Sequence, residues 1–63
     1  MTNLAEIIIN EANLRGINLE KANLKEADLG RADLMGANLK EANFTMADLE
    51  EANLLGTHLL TID

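Results

Sequence analysis

The 63-residue chain has no cysteine, no proline, no tryptophan and no tyrosine, with one phenylalanine (Phe44), one histidine (His58) and four glycines. Without cysteine there is no disulfide staple, no thiolate nucleophile and no zinc-thiolate site. A single histidine leaves Thr45, Thr57 and Thr61 with one candidate base, and Thr57 and His58 are sequence neighbours whose side chains diverge in an extended chain. Aromatic platforms for stacking bases are missing too. Eleven acidic residues outnumber five basic ones, for a net charge of -6, which excludes a phosphate-binding surface of clustered Lys and Arg. The longest apolar run before the C-terminal repeats is Ile7-Ile8-Ile9, behind a start with no basic residue; no signal peptide or membrane insertion is expected, and a cytoplasmic protein is the default. No Gly-rich phosphate loop or calcium loop is present. Asp28, Asp48 and Glu50 are the one candidate cation group, and they fall short of the six to eight oxygens that calcium takes. Asn43-Phe44-Thr45 matches a glycosylation acceptor but lacks a secretion signal. The expectation is no catalytic residue, no metal, no cofactor, no small-molecule substrate and no nucleic-acid partner.

What the chain does have is a repeat. Large apolar residues stand at Leu4, Ile9, Leu14, Leu19, Leu24, Leu29, Leu34, Leu39, Phe44, Leu49, Leu54 and Leu59, spaced by five without an insertion. Two residues before each comes a smaller position that is alanine in eight of twelve repeats, and between them lies Asn or Asp in ten of twelve, the exceptions being Ile8 and His58. The unit is Ala-Asn/Asp-Leu-x-x.

Composition favours helix, since Ala, Leu, Glu and Lys abound. Period five forbids it: at about 100° per residue, successive leucines would land about 140° apart and no apolar face would form. A continuous strand also fails, because an odd repeat sends consecutive leucines to opposite faces. The chain must therefore change direction every five residues, so that each short extended piece turns its Ala and Leu toward one axis.

The run Ala22-Asn23-Leu24-Lys25-Glu26-Ala27-Asp28-Leu29-Gly30-Arg31-Ala32-Asp33-Leu34 resembles the pentapeptide-repeat family, and the match runs from Thr2 to Thr61. The resemblance implies an all-β fold, a right-handed quadrilateral β-helix with four repeats per coil and about three coils, forming one domain over residues 1–63. Four repeats per coil predicts a hidden period of twenty, and Gly16, Gly36 and Gly56 share one such column. Glycine suits a corner that needs positive φ. Stacking by twenty places Leu14 and Leu19 in a first core layer with Leu4 and Ile9, Leu24, Leu29, Leu34 and Leu39 in a second, and Phe44, Leu49, Leu54 and Leu59 in a third. The Asn/Asp column points outward, where a short polar side chain hydrogen-bonds turn backbone, and amides such as Asn3, Asn23 and Asn43 are placed to pair between coils about 4.8 Å apart. Glu11, Arg31 and Glu51 form a column of mixed charge.

These features point to a non-enzymatic structural or protein-interaction module. Open solenoid ends expose backbone edges, and Ile8, Met35, Met46, Leu55 and Leu60 are outward apolar positions expected to contact a partner, either another protein or a further copy of the chain. Family resemblance adds an alternative, because some pentapeptide-repeat proteins are similar to DNA in shape and charge and bind DNA gyrase. A rod of about 15 Å is short for that role, and Arg15, Lys21, Lys25, Arg31 and Lys40 interrupt the negative rows.

Overall fold

A computed structural model describes residues 2–58. Parallel backbone bridges join each position to the one twenty residues later, from Asn3↔Asn23 and Ile8↔Asp28 through to Asp33↔Asn53 and Asn38↔His58. Residues 2–21, 22–41 and 42–58 are therefore stacked layers, called here coils 1, 2 and 3. Each full coil has four faces: face 1 begins at residues 2, 22 and 42, face 2 at 7, 27 and 47, face 3 at 12, 32 and 52, and face 4 at 17, 37 and 57. One residue per face makes the bridge. Among the described residues that is too little for a regular strand, so the expected all-β architecture takes the form of a β-helix built from isolated bridges.

The corners explain why the faces are so short. In each repeat the N–H of the next small residue donates to the carbonyl of the large one three positions back, as Ala27 does to Leu24 at 3.0 Å and Ala37 to Leu34 at 2.9 Å. The residue before that donor has positive φ, the sign that the third position of a type II turn requires. Gly16 (69°), Gly36 (73°) and Gly56 (73°) meet this need without strain. The remaining corners do the same with side chains: Glu6, Glu11, Lys21, Glu26, Arg31, Glu41, Met46 and Glu51 all have φ between 58° and 64°. Such a conformation costs a non-glycine residue on the order of 1–2 kcal/mol, a burden the surrounding ladder over-determines. The glycine column is therefore one instance of a rule that all corners obey.

Twelve backbone hydrogen bonds tie coil 1 to coil 2. Eight run up from N–H groups of coil 1, such as Leu4 to the Asn23 carbonyl at 2.7 Å and Glu6 to the Lys25 carbonyl at 2.9 Å, and four run back, such as Asn23 to the Thr2 carbonyl at 2.7 Å. Inside this ladder the middle layer is sealed: Leu24, Leu29, Leu34 and Leu39 are fully buried, with Ala22, Ala27, Ala32 and Ala37 between them. The end layers are only partly covered. Leu4, Ile9 and Leu14 below, and Phe44, Leu49 and Leu54 above, are half-buried against the core, although Leu19 is buried. Ile7 and Ile17, on opposite faces of coil 1, fill with bulk the inward positions that alanine holds in coil 2. Leu59 lies outside the described residues.

Leu34→Ala removes buried volume from a layer enclosed on both sides, and is expected to cost about 2–5 kcal/mol in urea unfolding. A loss below about 0.5 kcal/mol would contradict the layer assignment.

Candidate interaction surface

The outward side chains fall into two groups, those that serve the backbone and those that are free. In coil 2 the repeat Ala22-Asn23-Leu24-Lys25-Glu26 shows the division. Ala22 N–H closes a turn to Leu19, Asn23 N–H donates down to Thr2, and Leu24 and Glu26 N–H donate up to Asn43 and Thr45. The fifth donor, Lys25 N–H, has no backbone partner and instead reaches Asn23 Oδ1 at 3.0 Å. The same bond recurs at Asn3, Asn13, Asn18, Asp28, Asp33, Asn38, Asn43, Asp48 and Asn53. An Asn/Asp carbonyl or carboxylate oxygen is thus the acceptor for the one N–H that neither ladder nor turn can satisfy. This is the bond to turn backbone expected of the column, and it takes the place of the expected amide pairing: Asn3, Asn23 and Asn43 turn their oxygens to their own corners, and among the described residues the amide that reaches across coils is Asn53, whose Nδ2 donates to Asp33 Oδ1 at 3.4 Å.

Ile8 breaks the pattern. It offers no acceptor to the N–H of Asn10, and its side chain is 73% exposed. Restoring the acceptor with Ile8→Asn is expected to stabilise the fold by about 0.5–1.5 kcal/mol, seen as a raised denaturation midpoint; no change would mean that water serves Asn10 equally well.

Among the other apolar contact candidates, Met46 (78%) and Leu55 (68%) are exposed. Met35 is half-buried under Leu55 in the same column, and Leu60 lies outside the described residues. These side chains do not merge into one patch: Ile8 belongs to face 2 of coil 1, Met46 to a corner of coil 3 and Leu55 to face 3.

Charge is less evenly spread than a column-by-column reading suggests. Face 2 carries Glu11, Asp28, Asp48, Glu50 and Glu51 against a single Arg31, so most of the net charge of -6 stands on one side. Arg31 bridges coils, its Nε donating to Glu51 at 3.1 Å and its Nη1 to Glu11 at 3.3 Å. Both pairs are exposed and contribute roughly 0–1 kcal/mol each. Beside them, the missing side chain of Gly30 opens a groove of about 220 Å³ lined by Asp28, Asp48 and Glu50. A Cβ at position 30 would come within 3.3 Å of Asp28 Oδ1, and Asp28 already spends that oxygen on the Gly30 N–H. Among the described residues no three His, Cys, Asp or Glu side chains are grouped to hold a metal ion. His58 is exposed in the Asn/Asp column and Thr57 is half-buried beside it. No helix among the described residues is long and apolar enough to cross a membrane.

On face 3, Arg15 Nε donates to Asp33 Oδ2 at 2.6 Å. That hydrogen bond is the main cause of an Asp33 carboxyl held below its ordinary value of 3.8; partial desolvation opposes it, and the Met35 N–H and the Arg15 charge add to the lowering. A lowered carboxyl contributes stability above its unfolded pKa and loses it as pH falls through the folded one. In Arg15→Gln the Asp33 pKa is expected to rise toward the ordinary value in an NMR titration; an unmoved titration would mean that the ion pair does not form in solution.

The repeat geometry agrees with comparison to known proteins. The family model for pentapeptide repeats matches residues 2–34 and 17–56, with eight copies, and the chain belongs to the pentapeptide-repeat family. Its structure is similar to the crystal structure of a pentapeptide repeat protein, Rfr23, from the cyanobacterium Cyanothece 51142, with a TM-score of 0.92 and 43% identity over 95% of this chain. The chain spans 41% of that protein's length. No curated protein matches it. The family's β-helix is thus shared by this chain, and pentapeptide-repeat proteins are generally non-enzymatic.

Proposed function

We propose that the chain is a cytoplasmic protein-interaction module without catalytic activity, which engages its partner through the ends of the solenoid and the apolar side chains near coil 3. In this reading the solenoid is right-handed and quadrilateral, with three coils of four repeats. The observation that carries it is the state of the two end coils. The N–H groups of Ile8, Asn13 and Asn18 on coil 1, and those of Leu49, Glu51, Leu54 and Gly56 on coil 3, have no backbone partner among the described residues. The end-layer residues Ile9, Leu14, Leu49 and Leu54 next to them are half-buried, while Leu19 beside Asn18 is buried. Unpaired ladder groups beside incompletely covered apolar side chains are what an associating edge presents. The grooves on the outer faces of the described residues are open to solvent, one lined by Asp28, Asp48 and Glu50 and another by Asn18, Glu20 and Lys21, and neither has the enclosed, largely apolar form of a substrate pocket.

The immobilised chain is expected to retain a protein at a defined stoichiometry, and the double variant Met46→Glu with Leu55→Glu to lose it, while Glu20→Gln on face 4 keeps it. Retention unaffected by the double variant would remove the coil 3 side chains from the reading. The acidic face 2 favours a second reading, a DNA-mimicking protein that binds DNA gyrase. Its test is inhibition of gyrase supercoiling by the isolated chain, and a null result at high concentration would overturn it.

A further inference from the structure

We infer that the outer wall of face 3 docks a second copy of this chain about a two-fold axis, with Leu55 of each copy packed on Met35 of the other. The inference rests on the interaction-module reading and adds to it a partner, a face and a register.

Face 3 is where outward apolar side chains share a column: Leu55 is 68% exposed, and Met35 lies half-buried one coil below it. The corner beyond that column, between faces 3 and 4, is glycine in all three coils. Nothing inside the chain needs glycine there for room. A Cβ at Gly16 or Gly36 would meet no atom within 4 Å, and one at Gly56 would make ordinary contact at 3.8 Å. The other corners hold the same positive φ with side chains, among them Glu26, Arg31 and Glu51. Glycine relieves strain at this corner, and it also leaves bare backbone beside an apolar column, so that another flat face can come close.

Charge complementarity selects the occupant. Two copies packed on face 3 with antiparallel solenoid axes bring every column onto itself, and a two-fold axis between coils 2 and 3 sets coil 2 of one copy against coil 3 of the other. Arg31 then faces Glu51, Asp33 faces the Asn53 amide, Met35 faces Leu55 and Gly36 faces Gly56. Each pairing occurs twice. Neighbouring registers do worse: an axis on coil 2 sets Arg31 against Arg31 and Asp33 against Asp33, and an axis between coils 1 and 2 leaves Leu55 in water. Parallel solenoid axes lay the Met35 and Leu55 column on Asp33 and Asn53. The other walls are poorer partners for themselves, since face 2 opposes carboxylates to carboxylates, and the outward side chains of face 4 among the described residues are all polar. Two coils of one face make an interface below the standard size, so the dimer is weak. Being isologous, it closes at two copies.

Glycine variants read the register in sedimentation equilibrium. The average mass of the unmodified chain is expected to rise with concentration toward twice the monomer mass and stop there. Gly56→Glu should abolish the dimer, whereas Gly16→Glu, which carries the same backbone strain in coil 1, should dimerise like the unmodified chain. Leu55→Glu, at an exposed position that asks nothing of the fold, should also be monomeric. A dimer that survives Leu55→Glu would overturn the choice of face. Loss of the dimer in Gly16→Glu with retention in Gly56→Glu would overturn the register, and mass growing past two copies would overturn the two-fold closure. A chain that stays monomeric at millimolar concentration yet retains a different protein through Leu55 would overturn self-docking and leave the interaction-module reading standing.

Discussion

Every coil is held by backbone bridges between positions twenty residues apart, and that fixed offset constrains everything else. A bridge such as Asn23↔Asn43 forms only if both coils contain the same number of residues. One inserted residue would shift each later side chain onto the wrong side of the wall. The constraint reaches the corners as well. Four turns must bring the chain round in twenty residues, which leaves five per face and forces positive φ at every fifth position, whatever residue stands there. Eight charged, polar or sulfur-bearing side chains accept that conformation because the ladder above and below permits no other.

The same bookkeeping of donors explains why this surface carries so little chemistry. Of the five N–H groups in a coil 2 repeat, the ladder takes three, the turn takes one, and the Asn or Asp side chain takes the last. The most regular polar column in the chain is therefore committed to its own backbone. An oxygen that accepts a hydrogen bond from the N–H two residues on is poorly placed to act as base, nucleophile or ligand. Only the two positions after each large residue remain free to vary, and there the chain sets mixed charge on faces 1 and 4, Arg15 alone on face 3, and Glu11, Glu50 and Glu51 against Arg31 on face 2. Arg31 ties the three coils of face 2 together through Glu11 and Glu51, while Asp28, Asp48 and Glu50 stand around the gap at Gly30.

The core was legible in the sequence because its period is unbroken: the run Leu24, Leu29, Leu34 and Leu39 names the sealed layer, and the alanines two residues earlier name the small partners. The corners were only partly legible. Gly16, Gly36 and Gly56 announce a left-handed backbone, but a glutamate or lysine in the same conformation looks like any exposed charge, since the long-range ladder rather than local preference holds it there. The acceptor role of the Asn/Asp column could be anticipated from residue type; its near-exclusive use within the corner could not, because amide stacking between coils was equally compatible with the spacing. Met35 illustrates a different limit. Its outward position follows from the repeat, whereas its half-burial reflects a middle-coil place with Arg15 and Leu55 in the same column, and cover of that kind appears only once columns become neighbours in space.

A ladder built on a constant offset has no internal signal to stop. Inside the chain, each coil satisfies the one below and exposes an identical set of groups to the one above, so the polarity that makes coil 2 self-consistent also makes coil 1 and coil 3 complementary. Side chains alone distinguish one coil from the next. Ile7 and Ile17 hold, on opposite faces of coil 1, the inward positions that alanine holds in coil 2, so the tube is filled by bulk in one coil and by close stacking of small residues in the other.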